Sequence, residues 1–303
     1  MMVQILLSTY NGEKYLRPLL DSVFAQDYPR MEVLVRDDGS CDNTMAILQE
    51  YASTHPTMTI VAGEHVGIAE SFFQLLERAS SHAAYLALCD QDDVWQKDKV
   101  SVAVEWLQRD SPEIPALYNS RVTITDDQLH AVRVSDLPRK GLSFRNALVE
   151  SVVWGCTSVI NQAARGLLLR GFPRHAWVHD GWIYLVVSAF GIVLFDEEAR
   201  MLHRRHKTNA SLIPLTSSRR WSVQVNLFLA VGGQHRVFTQ AEEFKRIYGA
   251  ALSNEHTRTL DRFLRCRKSV WDRLRYAVTG DVYHQSRLGH VMLRALIALD
   301  RLY

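Results

Sequence analysis

Apolar and polar positions follow two different periods from the start of the chain. Short apolar runs at 3–7, 32–36, 58–62 and 85–88 are separated by stretches at 13–26, 44–53 and 69–79 in which apolar residues return at helical spacing. A compact apolar run bounded by turn formers predicts a strand, and a longer stretch of helical period predicts a helix with one buried face. Strand and helix taken in turn make βαβ units, which imply a mostly parallel sheet covered by helices. Ligands of open sheets of this kind bind beyond the carboxyl ends of the strands, so the residues just after each run are the first place to look for chemistry.

Further along, Pro112 and Pro115 punctuate the chain, residues 116–125 read as a strand leading into the turn Asp126-Asp127, and helix and strand signals mix to about residue 209. This half is expected to complete the sheet and to supply an acceptor-side wall. The most apolar stretch, 182–195, is too short to span a bilayer and reads as a buried helix followed by a strand. From about residue 214 the pattern is helical, with candidates at 221–231, 240–252, 258–279 and 286–302, and the chain has no internal repeat or low-complexity segment.

Composition changes this picture little. With 303 residues, 47% of them hydrophobic, the chain can bury one large domain or a domain with an appendage, and a formal net charge of +2 does not by itself call for a nucleic-acid partner. Cys41, Cys89, Cys156 and Cys266 lie far apart and form no CxxC pair, so neither a zinc site nor a disulfide framework has the required spacing, and a reducing, cytoplasmic setting fits best. The N-terminus runs into its first strand without a basic region or cleavage site, against a signal peptide. No Gly-x-Gly-x-x-Gly turn follows a strand and no Gly-Lys-Ser/Thr loop occurs, which excludes dinucleotide oxidoreductases and P-loop enzymes.

The post-strand segments are Ser8-Thr9-Tyr10-Asn11-Gly12, Asp37-Asp38-Gly39-Ser40 and Asp90-Gln91-Asp92-Asp93. Each one alone is also ordinary turn chemistry, but their recurrence at corresponding positions favours a site. The last segment gathers carboxylates at the end of the apolar run Tyr-Leu-Ala-Leu-Cys, where mutual repulsion and burial call for a cation or a protonation shift. A divalent ion is the simplest cation, and oxygen ligands suit Mg2+ or Mn2+. Two other readings stand beside it. One is an exposed acidic turn, with Asp93 or Asp98 favouring a helix N-terminus. The other is a phosphatase of the haloacid-dehalogenase type with Asp90 as nucleophile and Asp92 as proton donor, although that motif belongs on a first strand.

Taken in order and spacing, the motifs Leu-Ser-Thr-Tyr-Asn-Gly-Glu-Lys-Tyr-Leu at 7–16, Arg-Asp-Asp-Gly-Ser-Cys-Asp-Asn-Thr at 36–44, Cys-Asp-Gln-Asp-Asp-Val-Trp at 89–95, Gly-Cys-Thr at 155–157, His-Asp at 179–180 and His-Arg-Arg-His-Lys-Thr-Asn at 203–209 carry a likeness. The chain resembles the family-two inverting glycosyltransferases of the GT-A fold, especially rhamnosyltransferase-like members that build bacterial surface polysaccharide, over roughly residues 2–212. The resemblance implies a GT-A domain, a Rossmann-like, mostly parallel sheet flanked by helices, at about 1–212, with a helical C-terminal extension at about 213–303.

It also implies roles residue by residue. Thr9 and Tyr10, with Asn11 and Glu13 close by, match the loop that lies against the base and ribose of a donor nucleotide. Asp38, supported by Asp37, matches the carboxylate that accepts from a pyrimidine imide, which suits uracil and thymine alike. In the Asp-x-Asp motif, Asp90 and Gln91 lie on the donor side, Asp92 holds the metal and Asp93 orients the sugar. Ser71 stands where the family often has asparagine and is left out of the site. Inverting transfer needs a base on the face opposite the leaving diphosphate, and Asp180 matches it, although the same carboxylate also reads as a helix N-cap. His206 matches a late histidine that contacts the diphosphate or completes the metal site, and Arg204 would neutralise phosphate charge; as part of a run of charges, both also read as solvated strand residues.

Past residue 213, basic residues such as Arg262, Arg265, Lys268 and Arg275 interleave with Phe263, Trp271 and Tyr276. This predicts basic amphipathic helices, which suit either an anionic membrane surface, where a lipid-linked acceptor would lie, or packing on the catalytic domain and against another copy of the chain. A nucleic-acid-binding tail is the weakest reading and is set aside. The expected activity is inverting transfer of a sugar, foremost rhamnose from dTDP-rhamnose and otherwise a UDP-hexose or UDP-N-acetylhexosamine, onto a saccharide or lipid-linked acceptor, in the cytoplasm or at the inner face of the membrane.

Overall fold

The computed structural model of the protein describes residues 1–110, 113–174, 178–206 and 236–302. The expected helix at 221–231, the boundary at 212/213 and the residues Lys207, Thr208 and Asn209 lie outside them.

The four apolar runs form β1 (Val3–Thr9), β2 (Met31–Asp37), β3 (Met58–Ala62) and β4 (Tyr85–Asp90), all parallel to one another. Every position of β1 is buried because both sheet faces are covered, and the period of two sorts its side chains between two cores. Ile5, Leu7, Val35, Ala87 and Cys89 meet α1 (Leu16–Phe24) and a later helix on one face, whereas Leu6, Leu34, Leu86 and Leu88 meet α3 (Ile68–Arg78) on the other. Helix α1 buries Leu16, Leu19, Leu20 and Val23, the stripe expected of one face. It starts later than its periodicity suggests, because Asn11 has φ 47° and Tyr15 and Leu16 both donate to the Gly12 carbonyl, making a turn before the helix. Between β2 and β3 runs α2 (Thr44–Thr54).

Beyond β4 the sheet becomes mixed. Its further elements are β5 (Val94–Trp95), α4 (Lys99–Asp110), β6 (Ala116–Thr125), β7 (Ala131–Val134), α5 (Phe144–Ala147), β8 (Val159–Asn161), α6 (Gln162–Leu168), α7 (His179–Phe190) and β9 (Ile192–Arg204). The nine-stranded sheet has the order β3-β2-β1-β4-β8-β6-β9-β5, with β7 paired to β6. Strand β8 enters antiparallel between β4 and β6, while β6 and β9 run parallel. The apolar stretch 182–195 is thus divided between α7 and β9, as its length requires. Pairing of β5 with β9, Val94 opposite Leu202, lays the acidic loop after β4 beside the residues that end β9.

Among the described residues, four helices follow: α8 (Arg236–Tyr248), α9 (Asn254–Arg265), α10 (Val270–Thr279) and α11 (Arg287–Ala298). The expected single helix at 258–279 is two, because the Ser269 side chain accepts from Asp272 N–H (3.0 Å) and starts a new helix. These helices share a core with the sheet: Phe244 and Tyr248 pack on Trp182, with centroids 6.1 Å apart in both cases. Among the described residues no helix is long and apolar enough to cross a membrane.

Candidate active site

Parallel pairing sets Thr9 opposite Asp37 and Ser8 opposite Asp90, so three loops meet at one edge of the sheet. Buried Thr9 donates to Asp37 Oδ2 (2.9 Å), and Asp37 also accepts from the N–H and hydroxyl of Ser40 (2.9 and 2.6 Å). Asp38 is equally buried and fully occupied: Oδ1 accepts from Arg36 and Val66 N–H, and Oδ2 accepts from Gly67 N–H and faces His65 Nδ1. Burial opposes its charge, yet Arg36 and the two N–H groups hold the carboxyl below the usual carboxylate range. Ser71 lies beneath this network, 2.7 Å from the Ser8 hydroxyl and 3.1 Å from Arg36 Nη1.

Of the residues expected around the donor, Tyr10 presents an exposed ring, whereas several neighbours brace the loops. Gln91 Oε1 accepts from Tyr10 N–H (2.8 Å) and its Nε2 donates to the Tyr10 carbonyl (2.9 Å). It folds so closely over Gly12 that a Cβ there would lie 2.2 Å from Gln91 Oε1. Asn11 Oδ1 accepts from Cys41 N–H (2.8 Å), and Glu13 accepts from the N–H and side-chain amide of Asn43 (2.9 and 2.8 Å) at the start of α2.

The acidic loop divides its charges. Asp93 is wholly buried, 3.0 Å from His203 Nδ1, with its Oδ1 accepting from Arg204 N–H (3.0 Å). Burial works against a charged His203, but Asp93, Asp92 and Asp90 carry its pKa above the ordinary value. Lys99 is buried in the same region, its Nζ 3.5 Å from the centre of the Trp95 ring, and burial lowers its pKa to about 8 while Cys89, Cys156, Asp93 and Asp90 resist that fall. Part of the positive charge that the acidic cluster calls for is therefore built in. Asp92 turns the other way, its Oδ2 2.7 Å from His206 Nε2, and both side chains are mostly buried, at 15% and 10% exposure. The His206 ring stacks on Tyr15 (centroids 4.6 Å apart), over which Arg204 also lies at 4.8 Å. Arg204 donates to the carbonyls of Asp92 (2.9 Å) and Asp127 (2.7 Å), so it braces the acidic loop. Asp90 is driven well above the carboxylate range by desolvation and by Asp93, Asp92 and Asp180.

That last influence joins Asp180 to the cleft across the chain. Asp180 lies in the first turn of α7, after Val178, so it is not the residue that caps the helix. Its Oδ1 accepts from Gly181 N–H (2.6 Å) and its Oδ2 from Gly155 N–H (3.1 Å). Desolvation nevertheless raises its pKa to about 6. Beside it His179 stacks on Phe72 (3.9 Å between centroids), and burial drops its pKa to about 3, so it stays neutral. A Cβ on Gly155 would lie 2.7 Å from His179 Nε2 and 3.4 Å from Asp180 Cβ, so this close approach requires glycine. Trp182 points away from the carboxylate into the core. Lys99, His203, Tyr15 and His65 escape a reading of sequence alone. For Lys99 the signal was present, since it shares helical spacing with buried Ala103 and Leu107.

The profile of glycosyl transferase family 2 matches residues 4–166, more than half of the chain, and the protein belongs to that family. It is 29% identical over 213 residues to a protein of Mycobacterium tuberculosis and spans 59% of that relative's length. It is also 29% identical to the putative teichuronic acid biosynthesis glycosyltransferase TuaG of Bacillus subtilis, covering 62% of this chain and 73% of TuaG. With the dTDP-rhamnosyl transferase RfbG of Shigella flexneri the identity is 24%, over 67% of this chain and 72% of RfbG. Among solved structures, S. aureus TarS 1-349 with UDP-GlcNAc superposes with a TM-score of 0.63 at 15% identity, covering all (100%) of this chain and 82% of TarS. The mannosyltransferase PcManGT of Pyrobaculum calidifontis, solved with GDP-Man and Mn2+, gives 0.51 at 19%, covering 98% and 86%. These likenesses establish a GT-A fold, and family membership sets aside the phosphatase reading of Asp90.

Proposed function

We propose that the protein transfers a sugar with inversion from a pyrimidine nucleoside diphosphate sugar to a saccharide or lipid-linked acceptor in surface polysaccharide synthesis. The observation that carries this reading is Asp180, a carboxylate with a pKa near 6 held by two backbone N–H groups and within electrostatic reach of Asp90 in the acidic loop. A base of that strength takes up an acceptor proton as the new bond forms and is ionised at neutral pH. The Gly155 and Gly181 N–H groups orient it, and neutral His179 adds no competing charge. Tyr10 offers a stacking face to the base, Asp38 an acceptor for its imide, and Asp90 a group for the ribose or sugar.

An Asp92 oxygen and a His206 nitrogen 2.7 Å apart form a donor pair suited to Mg2+ or Mn2+, and PcManGT, a fold neighbour, was solved with Mn2+. When bound there, a divalent ion supplies positive charge against the diphosphate's developing negative charge. Asp93, held by His203, fixes the loop that carries Asp92, and Arg204 braces its main chain. Rhamnose from dTDP-rhamnose is the leading donor, supported by the likeness to RfbG, with UDP-GlcNAc and UDP-hexoses behind it.

Screening nucleotide sugars for donor hydrolysis with Mn2+ or Mg2+ tests the reading. Release of UDP or dTDP from one donor, lost in Asp92→Asn, supports it; no release from any donor, together with no thermal protection by UDP or dTDP, overturns it.

A second proposal concerns location. Helix α10 exposes Val270, Trp271, Leu274 and Val278, with Trp271 80% and Val278 83% accessible, and Lys268 and Arg275 are exposed nearby. An aromatic and aliphatic face with a basic edge fits the anionic inner surface of a membrane.

A further inference from the structure

His65 has no part in the mechanism above, yet it sits where the nucleotide base is expected. It lies after β3 on a backbone fixed from both sides. Arg36 Nη2 donates to the Glu64 carbonyl (2.9 Å), and the N–H groups of Val66 and Gly67 donate to Asp38 (2.9 Å each). The side chain is 56% exposed but makes two specific contacts. Its ring stacks on Tyr10 with centroids 4.1 Å apart and planes 27° from parallel, and its Nδ1 lies 3.0 Å from Asp38 Oδ2. A flat ring on Tyr10 and a ring nitrogen 3.0 Å from Asp38 parallel the two contacts assigned to the base. Asp38 has no acceptor position left for both partners, since Arg36, Val66, Gly67 and His65 already face its two oxygens.

We infer that His65 is an internal stand-in for the pyrimidine base, which occupies the base subsite in the nucleotide-free protein and swings out as the nucleoside diphosphate enters. The inference rests on the reading of Tyr10 and Asp38 as the base site. Because the flanking backbone is held, the exchange is a side-chain rotation and leaves the loop in place. It keeps a buried carboxylate supplied with donors in both states, so neither state carries an unmet acceptor. It also lowers apparent affinity, which scales with the fraction of molecules in which the histidine is swung out. A base without a ring N–H, such as adenine, meets Asp38 only through its exocyclic amine and not through the imide geometry, so the exchange favours uracil or thymine.

Titration calorimetry of UDP into the full chain at constant Mn2+ tests this with wild type, His65→Ala, His65→Phe and Tyr10→Ala. His65→Ala is expected to bind UDP about tenfold more tightly, with a smaller gain for His65→Phe, which keeps the stacking ring but loses the N–H. In parallel, the His65 ring resonance, displaced by the face of Tyr10 in the free protein, should move on adding UDP and stay on adding ADP. Unchanged or weaker UDP binding in His65→Ala, with Tyr10→Ala clearly weakened, overturns the stand-in while leaving the base site intact. Unchanged binding in Tyr10→Ala overturns the base-site reading itself, and the stand-in with it.

Discussion

A carboxyl with a pKa near 6 that must be ionised to accept a proton ties turnover to pH. The rate at low donor concentration should rise tenfold per pH unit below about 6 and level off above it, and Asp180→Asn should cost about 10²–10⁴-fold, read from initial rates across pH. The same shift bears on stability. Asp180 is raised from 3.8 to about 6 on folding, so its stability contribution is complete below pH 3.8 and is lost as pH rises through about 6, up to ~3 kcal/mol in all. Thermal melts of wild type and Asp180→Asn should therefore diverge across that window, with the variant gaining relative stability above it; parallel curves would sink the assignment of a buried, ionised base. At this scale the sequence told part of the story. Asp92, His206 and Asp180 were singled out through motif spacing; the structure pairs Asp92 with His206 and sets Asp180 within electrostatic reach of Asp90. Gln91, Asn11 and Glu13 were expected on the donor side through the resemblance, and a polar residue after a strand looks alike whether it meets a ligand or another loop. Only the partner distinguishes these cases, and for Gln91 that partner is Tyr10, on the loop after the neighbouring strand.

Helices α9 and α10 show how the same ambiguity works across an element. A basic amphipathic pattern predicts a face but not what covers it. Leu260 and Phe263 of α9 and Tyr276 of α10 enter the core, whereas Val270, Trp271, Leu274 and Val278 remain exposed on α10. The short break around Ser269 makes this possible by ending one helical phase and starting another, a detail hidden because Ser within a long periodic stretch is compatible with either outcome. If the exposed face meets anionic lipid, wild type should co-sediment with phosphatidylglycerol vesicles more than with phosphatidylcholine ones. Trp271→Glu should reduce that binding about tenfold or more without lowering the melting temperature, because Trp271 is 80% exposed. Equal binding by wild type and variant would remove the membrane reading and leave α10 as a surface for another protein.

Across the whole molecule, the parallel half of the sheet was legible because each of its strands is followed by a helix of clear period, while in the mixed half β6 and the division of 182–195 were legible but the place and direction of β8 were not. Strand β8 has only the three residues Val159–Asn161, too few to show a period, yet its antiparallel entry follows the turn that places Gly155 against Asp180. The two halves also share the proposed metal pair. Asp92 follows β4 and His206 follows β9, 114 residues later, so an ion held by both ties together strands from opposite halves of the sheet. Binding should accordingly stabilise the fold as a unit, by about 2.7 kcal/mol at a ligand concentration one hundred times Kd. Protein stripped with a chelator should melt several degrees higher once Mn2+ and UDP are restored together, and Asp92→Asn or His206→Ala should abolish most of the Mn2+-dependent part. Asp92→Asn should leave the metal-free melting temperature near that of wild type, since the buried Asp93, His203 and Lys99 group that supports the loop is untouched, whereas His206→Ala, which removes a mostly buried ring stacked on Tyr15, should lower it. Retention of the full Mn2+ shift in both variants would place the ion elsewhere.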